Sequence, residues 1–440
     1  MSGILAWGTY LPARRLDRST IAAVAGAGGG KGSRSVASYD EDTTTLAVAA
    51  GRRAIANLGS ENGAVRCLVF STPTPAYAEK TNATAIHAAL RLDRTAPAYD
   101  MNGAVRSGLA ALRAGLHGND PTLLVTADIR GGLPGGADEA SGGDGAGALV
   151  VGPGAGVAEL VAWANVSAEF LDRWRTPGAP AARSWEERFG ELQYLECGLD
   201  AWQQVLSDAG LEADQVDHVV VVGTHDRAVT SLIKKLGVAP ERIVESYAGS
   251  VGNLGGAAAF VGLASALERA KPGELLALVV LADGAEVVLL RTTEALASVP
   301  RGLSVAEQAE RGTPISYGRF LTWRGMLAVE PPRRPEPARP SASAAARSTE
   351  WKFGLTDAEG GVVADEIGSI VTFTIDRLVY SQSPPVVFAI VDFDGGKRLP
   401  VELTDCDPNE IAIGGRVEMT FRKLFTSDGI HNYFWKARPI

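Results

Sequence analysis

The feature that most constrains the fold of this 440-residue chain is an internal repeat. A short apolar segment that ends in polar residues occurs at 65–72 and again at 216–224. A Gly-rich turn that opens an Ala/Leu-rich helix occurs at 102–112 and again at 252–263. Self-similarity of this kind predicts one structural unit present in two copies, each of about 150 residues.

Two further elements follow in the same order in both copies. Apolar segments at 122–127 and 275–282 come after the two helices, and closing segments that begin Asp144-Gly-Ala and Asp283-Gly-Ala come after them. Continuous apolar strands alternating with Ala-rich helices are typical of sheets that are covered on both faces. Because small side chains let helices approach closely, we expect the two Ala-rich helices to pack together between sheets.

The sequence changes character after Val329. A Pro-rich and then Ser/Ala-rich stretch at 331–350 predicts a linker that is extended at first. Beyond Trp351, five short segments alternate polar and apolar residues and are separated by turns such as 394–397. Five strands with no long helix predict a small all-β barrel of the OB type. The predicted strands lie at 370–375, 386–391, 399–403, 416–421 and 431–435.

Composition excludes several classes of protein. With 42 basic and 51 acidic residues the net charge is −9, and no long Lys/Arg run is present, so we expect no nucleic-acid partner. Three cysteines without a C-x-x-C pair favour a reducing, cytoplasmic location. The uncharged stretch at 246–267 is long enough to span a bilayer, but its glycines and Asn253 favour a turn and a helix. We therefore expect no membrane segment.

Several motifs of the first 330 residues carry a family resemblance. They resemble 3-hydroxy-3-methylglutaryl-CoA (HMG-CoA) synthase-like members of the thiolase superfamily. The motifs are the opening segment 4–16, Tyr39-Asp-Glu-Asp-Thr-Thr-Thr, Ala127-Asp128, Asp144-Gly-Ala-Gly-Ala and Gly252-Asn253. The resemblance implies an α/β domain with a duplicated five-layer αβαβα thiolase-like fold at 1–330, with halves at about 1–155 and 156–330.

The C-terminal part at 351–440 resembles the OB-fold protein, often called DUF35, that accompanies such enzymes. Gly414-Gly-Arg-Val-Glu-Met-Thr-Phe and Tyr433-Phe-Trp-Lys-Ala-Arg-Pro carry this likeness. Those proteins commonly have a four-Cys zinc ribbon ahead of the barrel. The segment 351–363 resembles the start of the ribbon but contains none of its cysteines, so we expect no zinc and no other cofactor.

The resemblance implies a nucleophilic Cys at the start of the first central helix, assisted by a Glu and a His. In Val105-Arg106-Ser107-Gly108, Val105 stands at the Cys position, and an isopropyl group cannot attack a thioester. The Glu position falls near Thr72 and Pro73, where there is no carboxylate. Glu79 follows at what resembles a helix start and is a weak substitute.

The remaining candidates for the site come from both halves. His225 follows the strand of the second copy, and its role as acid–base group or as loop and helix-cap residue is equally open. Asn253 either donates to a thioester oxygen or simply tolerates the turn between glycines, and the second role is favoured. Arg106, Ser107 and Ser250 are candidates for the acyl pocket.

Three functional hypotheses remain. The leading one is a degenerate HMG-CoA synthase-like/OB-fold subunit of an acyl-CoA-dependent, C–C bond-forming acyltransferase complex, which lacks its own nucleophilic Cys. The alternative is a Cys-independent acyl-CoA aldolase or retro-aldolase that acts directly on a bound thioester. The third is an acyl-CoA binding module. The expected partners are acyl-CoA or an acyl carrier, and either a second copy or a Cys-bearing thiolase.

Overall fold

The computed structural model describes residues 2–59, 63–154, 156–300, 302–330, 338–357 and 359–440. Its strands are β1 Ser2–Tyr10, β2 Arg14–Asp17, β3 Ser33–Val36, β4 Cys67–Ser71, β5 Ala98–Asp100, β6 Thr122–Ile129, β7 Asp144–Pro153, β8 Ala158–Ser167, β9 Arg173–Trp174, β10 Arg183–Ser184, β11 His218–Gly223, β12 Leu275–Leu281, β13 Gly284–Thr292, β14 Thr313–Pro314, β15 Ile367–Asp376, β16 Val386–Phe393, β17 Arg398–Leu403, β18 Arg416–Ser427 and β19 Ile430–Pro439. Its helices are α1 Ser19–Ala25, α2 Thr43–Ala56, α3 Ala83–Ala89, α4 Ser107–Leu116, α5 Ala137–Ser141, α6 Glu187–Ala209, α7 Asp226–Ile233, α8 Ala258–Arg269, α9 Val305–Glu310, α10 Tyr317–Trp323, α11 Ala342–Arg347 and α12 Thr349–Gly354.

The repeat predicted from the sequence is present as two sheets of matching topology. The first copy has the strand order β1-β7-β6-β4, and the second has β8-β13-β12-β11. In both copies the last two strands are parallel and the other neighbours are antiparallel. The predicted boundary between the halves, residue 155, lies outside the described residues.

The two sheets are hydrogen-bonded into one. β1 pairs with β8 at Gly3–Glu159 and Ile4–Ala158, which gives a continuous nine-stranded sheet rather than two separate ones. Three apolar cores separate the layers: one under α2, one around α4 and α8, and one under α6 and α7. The strands are buried on both faces, as their unbroken apolar runs predicted. The duplicated α/β fold class is thereby confirmed.

Both central helices begin later than predicted. α4 begins at Ser107 rather than Asn102, and α8 begins at Ala258 after a 3-10 turn at Gly255–Ala257. The delay has a physical reason, since Gly103 and Gly255 adopt φ of 115° and 52°, values that an α-helix excludes. The glycine turns thus stand ahead of the helices and bring loop residues to the centre of the domain.

The C-terminal domain is a closed five-stranded barrel, with the order β15-β16-β17-β19-β18 and a β15–β18 pairing that closes it. Each predicted strand lies within one of these five. Of the predicted linker at 331–350, residues 331–337 lie outside the described residues. The remainder is partly helical rather than extended, because Ser341 caps α11 by accepting a hydrogen bond from Ala344 N.

The barrel packs against the first copy of the duplicated domain. Its interior, including Phe421 and Trp435, belongs to the same apolar core as Leu46 and Val48 of α2. α2 is held in place by a capping box, in which Asp42 accepts from Thr45 N while Thr45 Oγ1 accepts from Asp42 N. The two domains therefore share one core.

Candidate functional site

The turns ahead of the two central helices meet at one place. A Cβ added to Gly108 of α4 would lie 4.0 Å from the carbonyl oxygen of Gly256. Asp128, near the end of β6, holds the second turn, since its Oδ2 accepts a hydrogen bond from Gly256 N at 3.0 Å. The starts of the two helices, one from each copy, therefore form the central junction of the domain.

Val105 lies in the turn immediately before α4, at this junction. Its side chain is half-buried and packs against the central apolar core. A helix start favours a thiolate through its unpaired N–H groups and its dipole. Valine has no ionisable atom for that field to act on, so the position provides no nucleophile.

Arg106 links the two copies of the fold. Its Nε donates to Glu286 Oε1 at 2.8 Å, and its Nη1 donates to the carbonyl oxygen of Asp283 at 2.7 Å. The other Glu286 oxygen accepts from Trp163 Nε1 at 3.2 Å. The guanidinium thus fastens the start of α4 to β13, which is a structural task for a residue that the sequence placed in an acyl pocket.

The two candidate serines lie in different surroundings. Ser107 Oγ is 3.5 Å from the carbonyl oxygen of Asn102, at the first residue of α4. Ser250 Oγ donates to the carbonyl oxygen of Tyr247 at 3.1 Å, and the Ser250 carbonyl accepts from Ser33 Oγ. Ser250 lines a shallow cavity with Arg15 and Ser33, and that cavity does not include Ser107.

His225 is the N-cap residue of α7. Its Nδ1 accepts a hydrogen bond from Ala228 N at 3.1 Å, so the ring proton sits on Nε2, which donates to the Glu187 carbonyl at 2.9 Å. The side chain is 8% exposed. Both ring nitrogens are therefore engaged with backbone groups, and the geometry is that of the helix-cap role.

Asn253 ties three loops together. Its Nδ2 donates to the Gly223 carbonyl at 2.8 Å and to Asp226 Oδ1 at 2.9 Å, and its Oδ1 accepts from Gly255 N at 3.0 Å. Through Asp226 the structure places Asn253 beside the start of α7, next to His225. All polar atoms of the Asn253 amide have partners within the chain, so the side chain holds loops together. Asn253 does not adopt a positive φ, so the left-handed turn that the sequence favoured for it is not formed at this residue.

A small cavity of about 70 Å³ lies next to Asn253, between β11 and α8. Its walls are largely apolar and include Val220, Val222 and Val261, while Asp226 and Asn253 supply polar groups. Neither Val105 nor Arg106 lines it. Apolar walls with a few polar groups are the lining that small-molecule sites commonly have.

Asp128 belongs to the junction of the two turns, a place that the sequence did not assign to it. Asp128 Oδ1 accepts from Thr74 Oγ1 at 3.0 Å, and burial raises the pKa of this carboxyl while Arg130 opposes the rise. Glu79 is exposed on a loop, and the helix expected there begins only at Ala83. The signal for Asp128 was its place at the end of a buried strand.

None of the three thiols has the environment of a nucleophile. Burial raises the pKa of Cys67 and Cys197, and it raises the pKa of Cys406 to about 11. Reactive cysteines need the opposite shift. The surroundings of all three side chains therefore disfavour the thiolate form.

The Tyr39-Asp-Glu-Asp motif meets the barrel in a buried ion-pair network. Arg422 of β18 lies 2.5 Å from Glu41 and 3.5 Å from Asp40, and Lys436 of β19 lies 2.9 Å from Asp40. Although burial raises it, Lys436 and Arg422 bring the pKa of Asp40 down to about 2. The barrel cations thus neutralise an acidic loop of the duplicated domain.

Among the described residues, no group of three or more His, Cys, Asp or Glu side chains is arranged to hold a metal ion. None of the helices in the described ranges is long and apolar enough to cross a membrane.

Comparisons with known proteins agree with this architecture. HMG-CoA synthase of Aeropyrum pernix is 28% identical over 344 residues, which are 74% of this chain and 95% of that protein. HMG-CoA synthase of Methanopyrus kandleri is 27% identical over 341 residues, 74% of this chain and 97% of its own length. The model "3-oxoacyl-[acyl-carrier-protein (ACP)] synthase III C terminal" matches 206–290, and the model "ChsH2, C-terminal OB-fold domain" matches 361–422. The chain combines a domain that is similar to HMG-CoA synthases with a C-terminal domain that matches an OB-fold model.

Solved structures share the fold of the HMG-CoA synthase-like domain. 3-Oxoacyl-(acyl carrier protein) synthase III from Pseudomonas aeruginosa is 25% identical, with a TM-score of 0.57 over 67% of this chain and 98% of that one. An HMG-CoA synthase complexed with CoA has a TM-score of 0.61 at 18% identity and covers 72% of this chain and 89% of that one. MvaS in complex with 3-hydroxy-3-methylglutaryl coenzyme A has a TM-score of 0.61 at 21% identity, over 77% of this chain and 94% of its own.

Proposed function

We propose that this chain is a non-nucleophilic subunit of an acyl-CoA-dependent, C–C bond-forming acyltransferase complex. The observation that carries the proposal is Val105 at the start of α4, where the HMG-CoA synthase-like fold would need a thiol. A Cys-bearing thiolase-superfamily partner supplies the nucleophile, and this chain supplies the surface on which the partner is held. This chain alone then cannot form a covalent acyl intermediate, because no acyl acceptor lies at the central junction.

The state of the other site residues supports the same conclusion. His225 and Asn253 have their polar atoms engaged in holding loops, and the three thiols have raised pKa values because they are buried. A general base must have a free lone pair within reach of the proton it removes. His225 would have to give up its cap before it could accept a proton.

The proposed ligand is the acyl-CoA or acyl-carrier thioester of the complex. Two solved structures are complexes with CoA and with 3-hydroxy-3-methylglutaryl coenzyme A, and the chain shares their fold. The cavity beside Asn253, with its valine walls, has the apolar character that an acyl or pantetheine chain requires. We assign thioester binding to this cavity on that basis.

The outer surface of the OB barrel is the proposed contact for the partner. Leu378 is 99% exposed, and Tyr380 and Phe388 are each about half exposed. The barrel contacts the HMG-CoA synthase-like domain through Arg422 and Lys436, and the loop after β15 contacts it where Trp323 Nε1 donates to the Gln382 carbonyl. The apolar side chains that stay exposed are the kind of surface that protein partners cover.

A Cys-independent C–C lyase that acts directly on a bound thioester is the second candidate. It is favoured by one observation, that Asp226 lines the cavity and carries a carboxylate next to Asn253. Such a lyase would need no thiol. The lyase would be active without any partner protein, whereas the non-nucleophilic subunit would not.

The experiment is a reconstitution with matched variants. The purified chain is assayed alone and with a Cys-bearing thiolase-superfamily partner, and the partner's Cys→Ser variant serves as the control. The proposal expects condensation only with the intact partner, and no activity with the Cys→Ser partner. C–C cleavage or condensation by this chain alone would contradict the proposal, and loss of that activity in Asp226→Asn would assign it to the lyase.

A further inference from the structure

A large basic cleft lies where the OB barrel meets α2. It has a volume of about 440 Å³ and runs between α2 and strands β18 and β19. Four arginines line it, namely Arg52, Arg53, Arg91 and Arg438, against the two carboxylates of Asp365 and Glu418. The cleft therefore carries an excess of positive charge in a protein whose net charge is −9.

Three of the four arginines have carboxylate partners. Arg52 and Arg91 both pair with Asp365, and Arg438 pairs with Glu418 at 2.6 Å. Arg52 also donates to the Met419 carbonyl, which ties α2 to β18. These arginines hold the domain junction together.

Arg53 differs from the other three. Its Nη1 donates to the Thr9 carbonyl and to Gln308 Oε1, but among the described residues no carboxylate lies within ion-pair distance of its guanidinium. Its Nε and Nη2 make no hydrogen bond to the described residues, and neither is among the buried polar atoms that lack a partner. Burial, and next repulsion by Arg438, lower the pKa of Arg53 to about 10. A half-buried guanidinium with unused donors is a binding site for an anion.

The position of Arg53 is fixed relative to Arg438. Both guanidinium groups lie against the ring of Tyr10, with their central carbons 5.8 Å and 5.4 Å from its centroid. The Tyr10 hydroxyl is itself held by Glu41 at 2.6 Å. Both guanidinium groups therefore lie beside one held aromatic ring, and side chains that are already ordered lose less entropy when they bind an anion.

We propose that this cleft binds a phosphorylated small molecule, with a phosphate group on the free donors of Arg53. Planar guanidinium groups match the oxygen geometry of phosphate, and the volume of the cleft accommodates a nucleotide. Because the cleft is lined by α2 and by the barrel, a bound ligand would stabilise the contact between the two domains. This site lies outside the cavity beside Asn253, and the proposal does not depend on the proposed function.

Binding is tested on the full chain with two probes, inorganic pyrophosphate and adenosine 3′,5′-bisphosphate, by calorimetry in phosphate-free, low-salt buffer. Arg53→Gln should weaken binding by about tenfold or more. Arg53→Lys should weaken binding by less, because it keeps the charge and loses only the paired donors of the planar guanidinium. Arg319→Gln changes an exposed arginine of α10 and should leave the affinity unchanged. Equal affinity for both probes identifies free phosphate chemistry, and much tighter binding of the bisphosphate identifies a nucleotide.

A second measurement keeps the test valid if the variants fail to fold. Phenylglyoxal labels accessible arginines of the wild-type protein, and peptide mass mapping reports the modification of Arg53. Pyrophosphate should protect Arg53 from labelling while Arg319 stays reactive. Absence of binding for both probes, affinity unchanged in Arg53→Gln, or labelling of Arg53 that pyrophosphate does not slow would overturn the proposal.

Discussion

Arg422 Nη1 lies 2.5 Å from Glu41 Oε1, across the boundary between the OB barrel and the HMG-CoA synthase-like domain. The same guanidinium lies 2.5 Å from Asp405 of the barrel, and its side chain is 1% exposed. One barrel arginine thus neutralises carboxylates from both domains. This contact makes the barrel a fixed part of the protein, because its removal would expose paired charges and an apolar core together.

Loss of Arg422 should therefore be severe. Arg422→Met leaves Glu41 and Asp405 buried without their cation and leaves Asp40 with Lys436 alone. Breaking a buried pair in this way costs about 3–5 kcal/mol. Chemical denaturation measures the free energy of unfolding directly. Arg416→Met is the matched control, since Arg416 lies on β18 with Arg422 and forms an exposed pair with Asp394, for which a loss below about 1 kcal/mol is expected. Equal losses in the two variants would contradict the network.

The ion pairs of Asp40 should lower the free energy of unfolding at acidic pH. The pKa of Asp40 is about 2 in the folded protein, below its usual value, because Lys436 and Arg422 outweigh the effect of burial. A carboxyl with a lowered folded pKa contributes stability above its unfolded pKa and loses it as pH falls through the folded value. The free energy of unfolding should drop by about 2 kcal/mol from this group between about pH 4 and pH 2. In Asp40→Asn, the free energy of unfolding should change less between these pH values. If the pH dependence is unchanged, other carboxyl groups cause it.

The roles of His225 can be separated by two substitutions. His225→Ala removes the cap of α7 and should lower the free energy of unfolding by about 1 kcal/mol, whereas Asn caps well, so His225→Asn should restore most of it. Both variants should keep full activity in the reconstituted complex. If both lose activity while His225→Asn stays stable, His225 acts as an acid–base group.

The absence of zinc remains a prediction with a simple test. The segment ahead of the barrel holds none of the four thiols that a ribbon would need. Elemental analysis of the purified protein should therefore find less than stoichiometric zinc. One zinc per chain that survives dialysis against a chelator would refute the interpretation of that segment.

Much of the fold followed from local patterns. The duplicated unit and the five barrel strands were predicted because buried strands and half-buried barrel strands leave distinct periodicities in the sequence. Helix starts were less predictable. The glycine turns at Gly103 and Gly255 look like the first turns of helices, and only their positive φ angles show that the helices begin later.

The contacts between distant segments had no sequence signal. Asp40 and Arg422 stand at opposite ends of the chain, and Arg106 pairs with Glu286 of the other copy. A charged residue looks the same in a sequence whether it is solvated or paired in a core. For the same reason the unused donors of Arg53 emerge only from the packing of the barrel against α2.

The most direct test of the account is the mass of the intact protein after incubation with acyl-CoA. Acetyl-CoA and a longer acyl-CoA are each incubated with the purified chain, with a Cys-bearing thiolase as positive control. Val105 offers no nucleophile, and the pKa of each of the three thiols is raised, so the mass should stay unchanged while the control gains one acyl group. Any activity of this chain should also survive the combined variant Cys67→Ala, Cys197→Ala and Cys406→Ala. A thioester adduct on this chain alone, or loss of activity in the triple variant, would contradict the account.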